Sequence, residues 1–203
     1  AGSVVKDIAF QFNANTKQVH LNGNLLTLPN MHTTFVINKA RGLLCSRLNK
    51  QERSLGKISV FAGLRAQVED SVYDRLLTVG RLDEQTTGLL VITTDGHLVH
   101  EVTSPEARVE KTYTVVIDKA LSSEDHRKLS TGVEIDMEVN GAISRYITRP
   151  AEVEETDSTT VRLTITEGKK RQVRRMFASL GYTVQRLHRT SIGGLRLDLL
   201  DLE

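Results

Sequence analysis

A chain of 203 residues, 39% of them hydrophobic and 26% charged, is long enough to bury a core and has the composition of an ordinary globular protein. Its single cysteine, Cys45, excludes an internal disulfide framework, and no apolar run approaches the ~20 residues that cross a membrane. The first ten residues show no signal-peptide pattern, so we expect a cytoplasmic protein. An organelle is the alternative if a targeting segment was removed.

Strands are predicted to open the first half of the chain. Apolar and polar residues alternate in Lys17–Leu28 around an Asn-Gly pair, which is typical of a β-hairpin, and Thr34–Asn38 predicts a further strand. Apolar residues at helical spacing in Leu55–Val68 predict a helix. Within Val79–Thr94 a polar loop precedes a continuous apolar run, which predicts a buried strand, and His97–Val102 predicts a short helix.

The second half of the chain is predicted to be richer in strands than in helices. One helix is predicted to begin at Ser122 and to end at Gly132, and the apolar stripe of Lys169–Leu180 predicts another. This balance favours an α+β fold with a mostly antiparallel sheet. The predicted strands are Lys111–Ile117, Val133–Val139, Ala142–Thr148, Thr159–Thr166, Thr183–Arg189, and Ile192–Leu202 with a Gly-Gly kink.

Charge is distributed unevenly along the second half. Residues 118–157 carry ten acids and five bases, a net charge of −5, whereas residues 158–198 carry nine bases and two acids, a net charge of +7. Such a concentration of positive charge indicates a surface for a polyanion. For the helix alone, a solvated basic face is the simpler interpretation.

The sequence lacks the common motifs for cofactors and metals. The six histidines do not cluster with cysteine or carboxylate at ligand spacing, and neither a phosphate-binding loop nor a dinucleotide fingerprint is present. We therefore expect no cofactor and no metal. One carboxylate remains of interest: Asp83 lies in a loop just before the apolar run. On spacing alone, a turn or capping role is the more common one for such a residue.

Four stretches of the chain together resemble one enzyme family. GRLDEQTTGLLVITTDG at residues 80–96 is similar to the signature of the RsuA-type ribosomal RNA pseudouridine synthases, a group that includes the RluB, RluE and RluF types. FVINKARGLLCS at 35–46, TSPEARVEKTYTV at 103–115 and ITEGKKRQVRRMFASLGYTVQRLHRTSIGGL at 165–195 resemble its other motifs, in the same order. Lys39-Ala40 departs from the usual Lys-Pro of the family.

The resemblance implies a fold and a domain organisation. We expect the α+β pseudouridine synthase fold, with a mostly antiparallel bent sheet, flanking helices and a central active-site cleft. Residues 35–203 would form the catalytic domain. Residues 1–34 would be the tail of an S4-like RNA-binding module or a connecting hairpin, because most bacterial members begin with a complete S4-type domain and here a complete one is not seen.

The resemblance also implies a role for each matched residue. Asp83 matches the catalytic nucleophile, Tyr113 the tyrosine that stacks on the target base and can act as a general base, and Arg174 the basic partner of the aspartate. The matched or neighbouring residues that would bind substrate are Arg81, Leu187, Lys169, Lys170, Arg171 and Arg175. Taken alone, each of them is better explained as an ordinary core or surface residue.

The expected function is cofactor-free isomerisation of a specific uridine to pseudouridine in ribosomal RNA. The partner would be RNA or a pre-ribosomal particle, with no membrane involved, and the protein would act as a monomer. The RQVRRM stretch at 171–176 favours large-subunit RNA. The alternative is a catalytically inactive RNA-binding or ribosome-assembly protein on the same fold.

Overall fold

The computed structural model describes residues 20–21, 24–25, 32–139 and 141–200. The chain divides into two units, residues 1–32 and 33–203. In the first unit β1 (His20–Leu21) pairs antiparallel with β2 (Asn24–Leu25), which confirms the predicted hairpin at these residues. The rest of Lys17–Leu28 lies outside the described residues, and the relation of residues 1–34 to an S4-like module stays a prediction.

The second unit is built from short helices and many strands. Its described helices are α1 (Lys50–Ser54), α2 (Asp70–Tyr73), α3 (Gly96–Thr103), α4 (Ser123–Thr131) and α5 (Gln172–Ser179), with 3₁₀ turns at Ala62–Leu64 and Leu197–Leu199. Its described strands are β3 (Thr34–Lys39), β4 (Leu43–Leu44), β5 (Ile58–Ser59), β6 (Leu77–Thr78), β7 (Thr87–Thr93), β8 (Lys111–Ile117), β9 (Glu134–Val139), β10 (Ala142–Ile147), β11 (Glu152–Glu155), β12 (Thr160–Ile165), β13 (Val184–Ile192) and β14 (Leu195–Arg196). None of these helices is long and apolar enough to cross a membrane.

One eight-stranded sheet organises the second unit. Its order is β11-β12-β8-β13-β7-β3, with β14 beside β13 and β6 beside β7. Every pair is antiparallel except β13 with β7. A separate antiparallel hairpin joins β9 to β10, as its Asn-Gly pair predicts. The α+β prediction with a mostly antiparallel sheet is therefore confirmed.

The central strand β7 is buried on both faces. Leu90 and Ile92 pack in the main apolar cluster with residues of β8, β12 and α5, whereas Leu89 and Val91 pack in a smaller cluster on the other side. Two buried faces explain why the sequence there is continuously apolar rather than alternating. The strand also fixes the position of the loop that precedes it.

The predicted helix at Leu55–Val68 is wrong. Helix α1 is capped by Asn49 and ends before Gly56, which has a φ of +68° that favours glycine. The chain then forms β5, which pairs with β4, and a 3₁₀ turn. Phe61 and Leu64 still reach the core, but they do so from a turn. Their helical spacing therefore reports burial and not a helix.

Two further boundaries differ from the prediction. A long final strand at Ile192–Leu202 is wrong: β13 runs on to Ile192, and Gly193, with a φ of +52°, turns the chain back into the short β14. The predicted Lys169–Leu180 helix begins only at Gln172, because Arg171 has a left-handed φ of +56°. Residues 201–203 lie outside the described part of the chain.

Candidate active site

A cleft opens where the loop before β7 meets β8, β13 and the loop before α5. Its cavity volume is about 140 Å³. A cavity of about 150 Å³ can hold benzene, so the cleft has room for one six-membered ring. Residues from four distant stretches of the sequence meet there. Among the predicted site residues, those that line it are Arg81, Asp83, Tyr113, Lys169, Arg171 and Leu187.

The loop that carries Asp83 is fixed by its backbone. Leu82 is buried, and its N–H donates to the Cys45 sulfur at 3.4 Å. The Gly42 N–H donates to the Glu84 carbonyl at 2.8 Å, on the other side of Asp83. The Asp83 side chain itself remains 28% exposed. The carboxylate is therefore held in place by its neighbours while it stays open to the cleft.

A buried lysine provides further support for this loop. Lys39 is only 1% exposed, and its ammonium donates to the carbonyls of Thr86 at 2.8 Å, Glu84 at 3.3 Å and Ala40 at 3.0 Å. Burial lowers the pKa of Lys39, and the nearby Cys45 and Glu84 oppose that shift. The sequence signal for this role was weak: Lys39 stood out only as part of the first matched motif.

Two arginines flank the Asp83 carboxylate. Arg171 Nη1 and Arg174 Nε each lie 4.0 Å from Asp83 Oδ2. Arg174 Nη1 donates to the Val184 carbonyl at 3.0 Å, whereas its buried Nε has no hydrogen-bond partner among the described residues. Burial lowers the pKa of Arg174, Arg171 adds to this effect and Asp83 opposes it. A guanidinium remains charged in proteins, so the carboxylate faces two cations.

The walls of the cleft are provided by two adjacent strands. Tyr113 on β8 and Leu187 on β13 are both largely buried and present a flat ring and an aliphatic side chain to the cavity. Arg189, which is opposite Tyr113 in register, lies beside them. Its Nε donates to the Leu89 carbonyl at 2.8 Å, and its buried Nη2 has no partner within the described ranges. Arg189 was part of a matched motif, but nothing in the sequence gave it a role.

A second carboxylate in the cleft lining is fully engaged. Glu167 is buried and accepts hydrogen bonds from Arg149 N–H at 2.9 Å, from Gln172 Nε2 at 2.6 Å and from the Tyr146 hydroxyl. The hydrogen bond to Glu167 raises the pKa of Tyr146. Glu167 therefore positions the loop before α5. Among the described residues that line this cleft, Asp83 is the other carboxylate, and it does not share these hydrogen bonds.

Three of the predicted site residues do not line the cavity. Arg174 is not among the lining residues, although its Nε lies 4.0 Å from Asp83 Oδ2. Lys170 is exposed and does not line the cleft, although its neighbours in sequence, Lys169 and Arg171, do. Arg175 Nη1 donates to the Asp136 carbonyl on β9 at 2.8 Å. Arg171 is left-handed and α5 begins only at Gln172, so Lys169 and Lys170 do not share a helix with Arg174 and Arg175. Arg174 and Arg175 point in different directions because successive residues of an α-helix are rotated around its axis.

Comparison with known proteins identifies the family of the chain. Residues 33–179 match the family model described as RNA pseudouridylate synthase, so the chain belongs to this family of enzymes. It is 34% identical to ribosomal small subunit pseudouridine synthase A of Escherichia coli (strain K12), over 97% of the chain and 78% of the relative. The corresponding protein of Yersinia pestis is 35% identical over 97% of the chain and 77% of the relative.

A solved structure supports the same assignment. The crystal structure of a pseudouridylate synthase superposes with a TM-score of 0.70 and 32% identity, covering 100% of this chain and 80% of that one. The family and the fold expected from the four motifs are thereby confirmed.

Proposed function

We propose that this enzyme isomerises a specific uridine to pseudouridine in small-subunit ribosomal RNA, with Asp83 as the nucleophile. The relatives at 34% and 35% identity are both named for the small subunit, and they give no support to the large-subunit preference suggested by RQVRRM. The observation that carries the proposal is the placement of Asp83, 28% exposed, in a cleft of ring size between two guanidinium groups.

The isomerisation replaces one glycosidic bond by another. The target uridine leaves its stack and enters the cleft, as enzymes that act on bases in nucleic acids require. The bond between ribose C1′ and base N1 breaks, the base rotates, and a bond between C1′ and C5 forms. C5 loses its hydrogen as a proton, and N1 gains one. Asp83 forms the covalent intermediate, at C1′ of the ribose or at C6 of the base.

The other residues of the cleft support this step. Arg171 and Arg174 stabilise the carboxylate charge of Asp83 while water is displaced by the base. Tyr113 and Leu187 enclose the flat ring, and the Tyr113 hydroxyl is the candidate base for the C5 proton. Arg81 and Lys169 at the rim, with Lys170 and Arg175 beyond it, attract the RNA phosphates. The monomeric state and the cytoplasmic location stay predictions.

Tritium release from RNA labelled with [5-³H]uridine tests this function. The wild-type protein is incubated with small-subunit and with large-subunit ribosomal RNA, each as free RNA and as particles. We expect release from the small-subunit RNA only, at one mapped uridine. Release from large-subunit RNA alone would overturn the substrate assignment. Tight binding without any release would favour the alternative, an inactive RNA-binding or ribosome-assembly protein.

A further inference from the structure

A second positively charged surface lies outside the cleft, on the segment between β3 and the Asp83 loop. Residues 39–66 contain seven lysines or arginines and a single acid, Glu52. Lys39 is buried, and two other cations form ion pairs, Lys57 with Glu84 at 2.6 Å and Arg65 with Asp70 at 2.9 Å. Four exposed cations have no carboxylate within 4.0 Å among the described residues: Arg41, Arg47, Lys50 and Arg53.

Two of these cations share a groove with apolar side chains. The groove has a cavity volume of about 480 Å³ and is lined by Arg47, Arg53, Lys57, Ile58, Phe61 and Tyr73. Ile58 is 54% exposed, so the groove also carries some apolar surface. Exposed positive charge binds the phosphates of nucleic acids, and the two aromatic rings here hold guanidinium groups in place instead of standing open to a base.

Arg47 is held in a rigid arrangement within this groove. Its guanidinium carbon lies 4.8 Å from the centre of the Phe61 ring and 4.7 Å from that of Tyr73, and Nη2 donates to the Tyr73 carbonyl. Arg65 also stacks on Tyr73, at 4.6 Å. A stacked planar guanidinium loses less conformational freedom when it binds a phosphate. Among the described residues, the Tyr73 carbonyl engages one of the five N–H donors of Arg47, so the others can bind a ligand.

The groove is connected directly to the loop that carries Asp83. Lys57, which lines the groove, pairs with Glu84, the residue after Asp83. We propose that this groove binds the backbone of the RNA strand that flanks the flipped uridine. This proposal rests on the proposed function, since it assumes an RNA substrate in the cleft. It adds a contact surface distinct from the basic residues around α5.

A charge-matched pair of double variants tests the groove. Arg47→Ala with Arg53→Ala removes two cations from it, and Arg127→Ala with Arg145→Ala removes two exposed cations elsewhere, on α4 and β10. Binding of in vitro transcribed small-subunit ribosomal RNA is measured by filter retention over a range of KCl concentrations. When two contacts to single-stranded RNA are lost, the negative slope of log K against log salt should become less steep by about 1.4. Kd should rise several-fold, while the control pair keeps the wild-type values.

Each outcome decides the proposal. Equal Kd and equal slope for the two double variants would overturn it and would leave a protein ligand as the better occupant of the groove. Arg53→Ala alone is a control for misfolding, because the Arg53 side chain is exposed. In this variant the slope should become less steep by about 0.7. Binding is measured without turnover. If the wild type fails to isomerise uridine but the groove variants still bind more weakly, the proposed function fails, and the groove remains an RNA-binding surface without a flipped uridine beside it.

Discussion

The close approach of β7 to β13 depends on the absence of a side chain at Gly88. Gly88 has a φ of +106°, and a Cβ there would lie 2.2 Å from the carbonyl oxygen and 2.6 Å from the nitrogen of Arg189. Both are backbone atoms of β13, so neither can move away by a rotamer change. Gly88→Ala should cost about 1–3 kcal/mol from the unfavourable φ and about 1–3 kcal/mol from overpacking. We expect the free energy of unfolding to fall by about 2–6 kcal/mol in total.

Urea unfolding followed by circular dichroism measures this loss. Gly63→Ala is the matched control, because a Cβ at Gly63 meets no atom within 4 Å and the residue does not have a positive φ. That control should change the free energy of unfolding by less than about 1 kcal/mol. If the two variants unfold at the same urea concentration with the same slope, the close approach of β7 to β13 is not real and the argument for Gly88 fails.

Three further variants test individual side chains of the site and the sheet. Lys39→Met leaves the buried Thr86 carbonyl without its donor, so urea unfolding should show a loss of about 1–3 kcal/mol, and an unchanged midpoint would contradict this. Tyr113→Phe keeps the ring, and single-turnover tritium release should fall about 100- to 10,000-fold; full activity would restrict Tyr113 to stacking. Burial, with Arg186 adding to it, lowers the pKa of His188 from 6.5. The unfolded chain then binds more protons than the folded chain below that pH, so stability should fall as the pH drops through 6.5. In thermal unfolding, the melting temperature of His188→Gln should depend less steeply on pH than that of the wild type. An equally steep dependence would show that His188 is not its cause.

Local sequence signals were sufficient for much of the sheet. Strand β8 has the predicted bounds, because Tyr113, Val115 and Ile117 alternate with less buried residues along one strand. Strands β9 and β10 pair antiparallel, with Val139 opposite Ala142, as the Asn-Gly pair between them in the sequence predicts. Helix α4 likewise begins after Ser122, whose hydroxyl accepts from the Asp125 N–H. Each of these elements is specified by its own residues.

Non-local packing decided the segment where the prediction failed. Strand β5 exists because Ile58 pairs with Leu43, fifteen positions earlier, and no pattern within residues 55–68 reports that pairing. The same folding brings Arg47, in the loop between β4 and α1, and Arg53, on α1, into one groove. The sequence therefore shows a scattered set of basic residues, and only the fold shows a surface.

The motif matches predicted several residues that the fold brings to one cleft. Asp83, Tyr113 and Leu187 lie at one cleft, although 104 positions separate the first from the last. The supporting contacts could not be predicted, since Lys39 reaches carbonyls 45 and 47 positions away and Glu167 accepts from two separate segments. Lys170 and Arg175 were grouped with their neighbours because the sequence gives no sign of the left-handed turn at Arg171.

The central claim is that the carboxylate of Asp83 is the nucleophile. Tritium release from small-subunit ribosomal RNA labelled with [5-³H]uridine is compared for the wild type, Asp83→Asn and Glu84→Gln. The Glu84 carboxylate is the adjacent control, since its partner is Lys57 and not a residue around Asp83. We expect release by the wild type and by Glu84→Gln, and none by Asp83→Asn even at saturating RNA. Release by Asp83→Asn at the wild-type rate would show that this carboxylate is not the nucleophile.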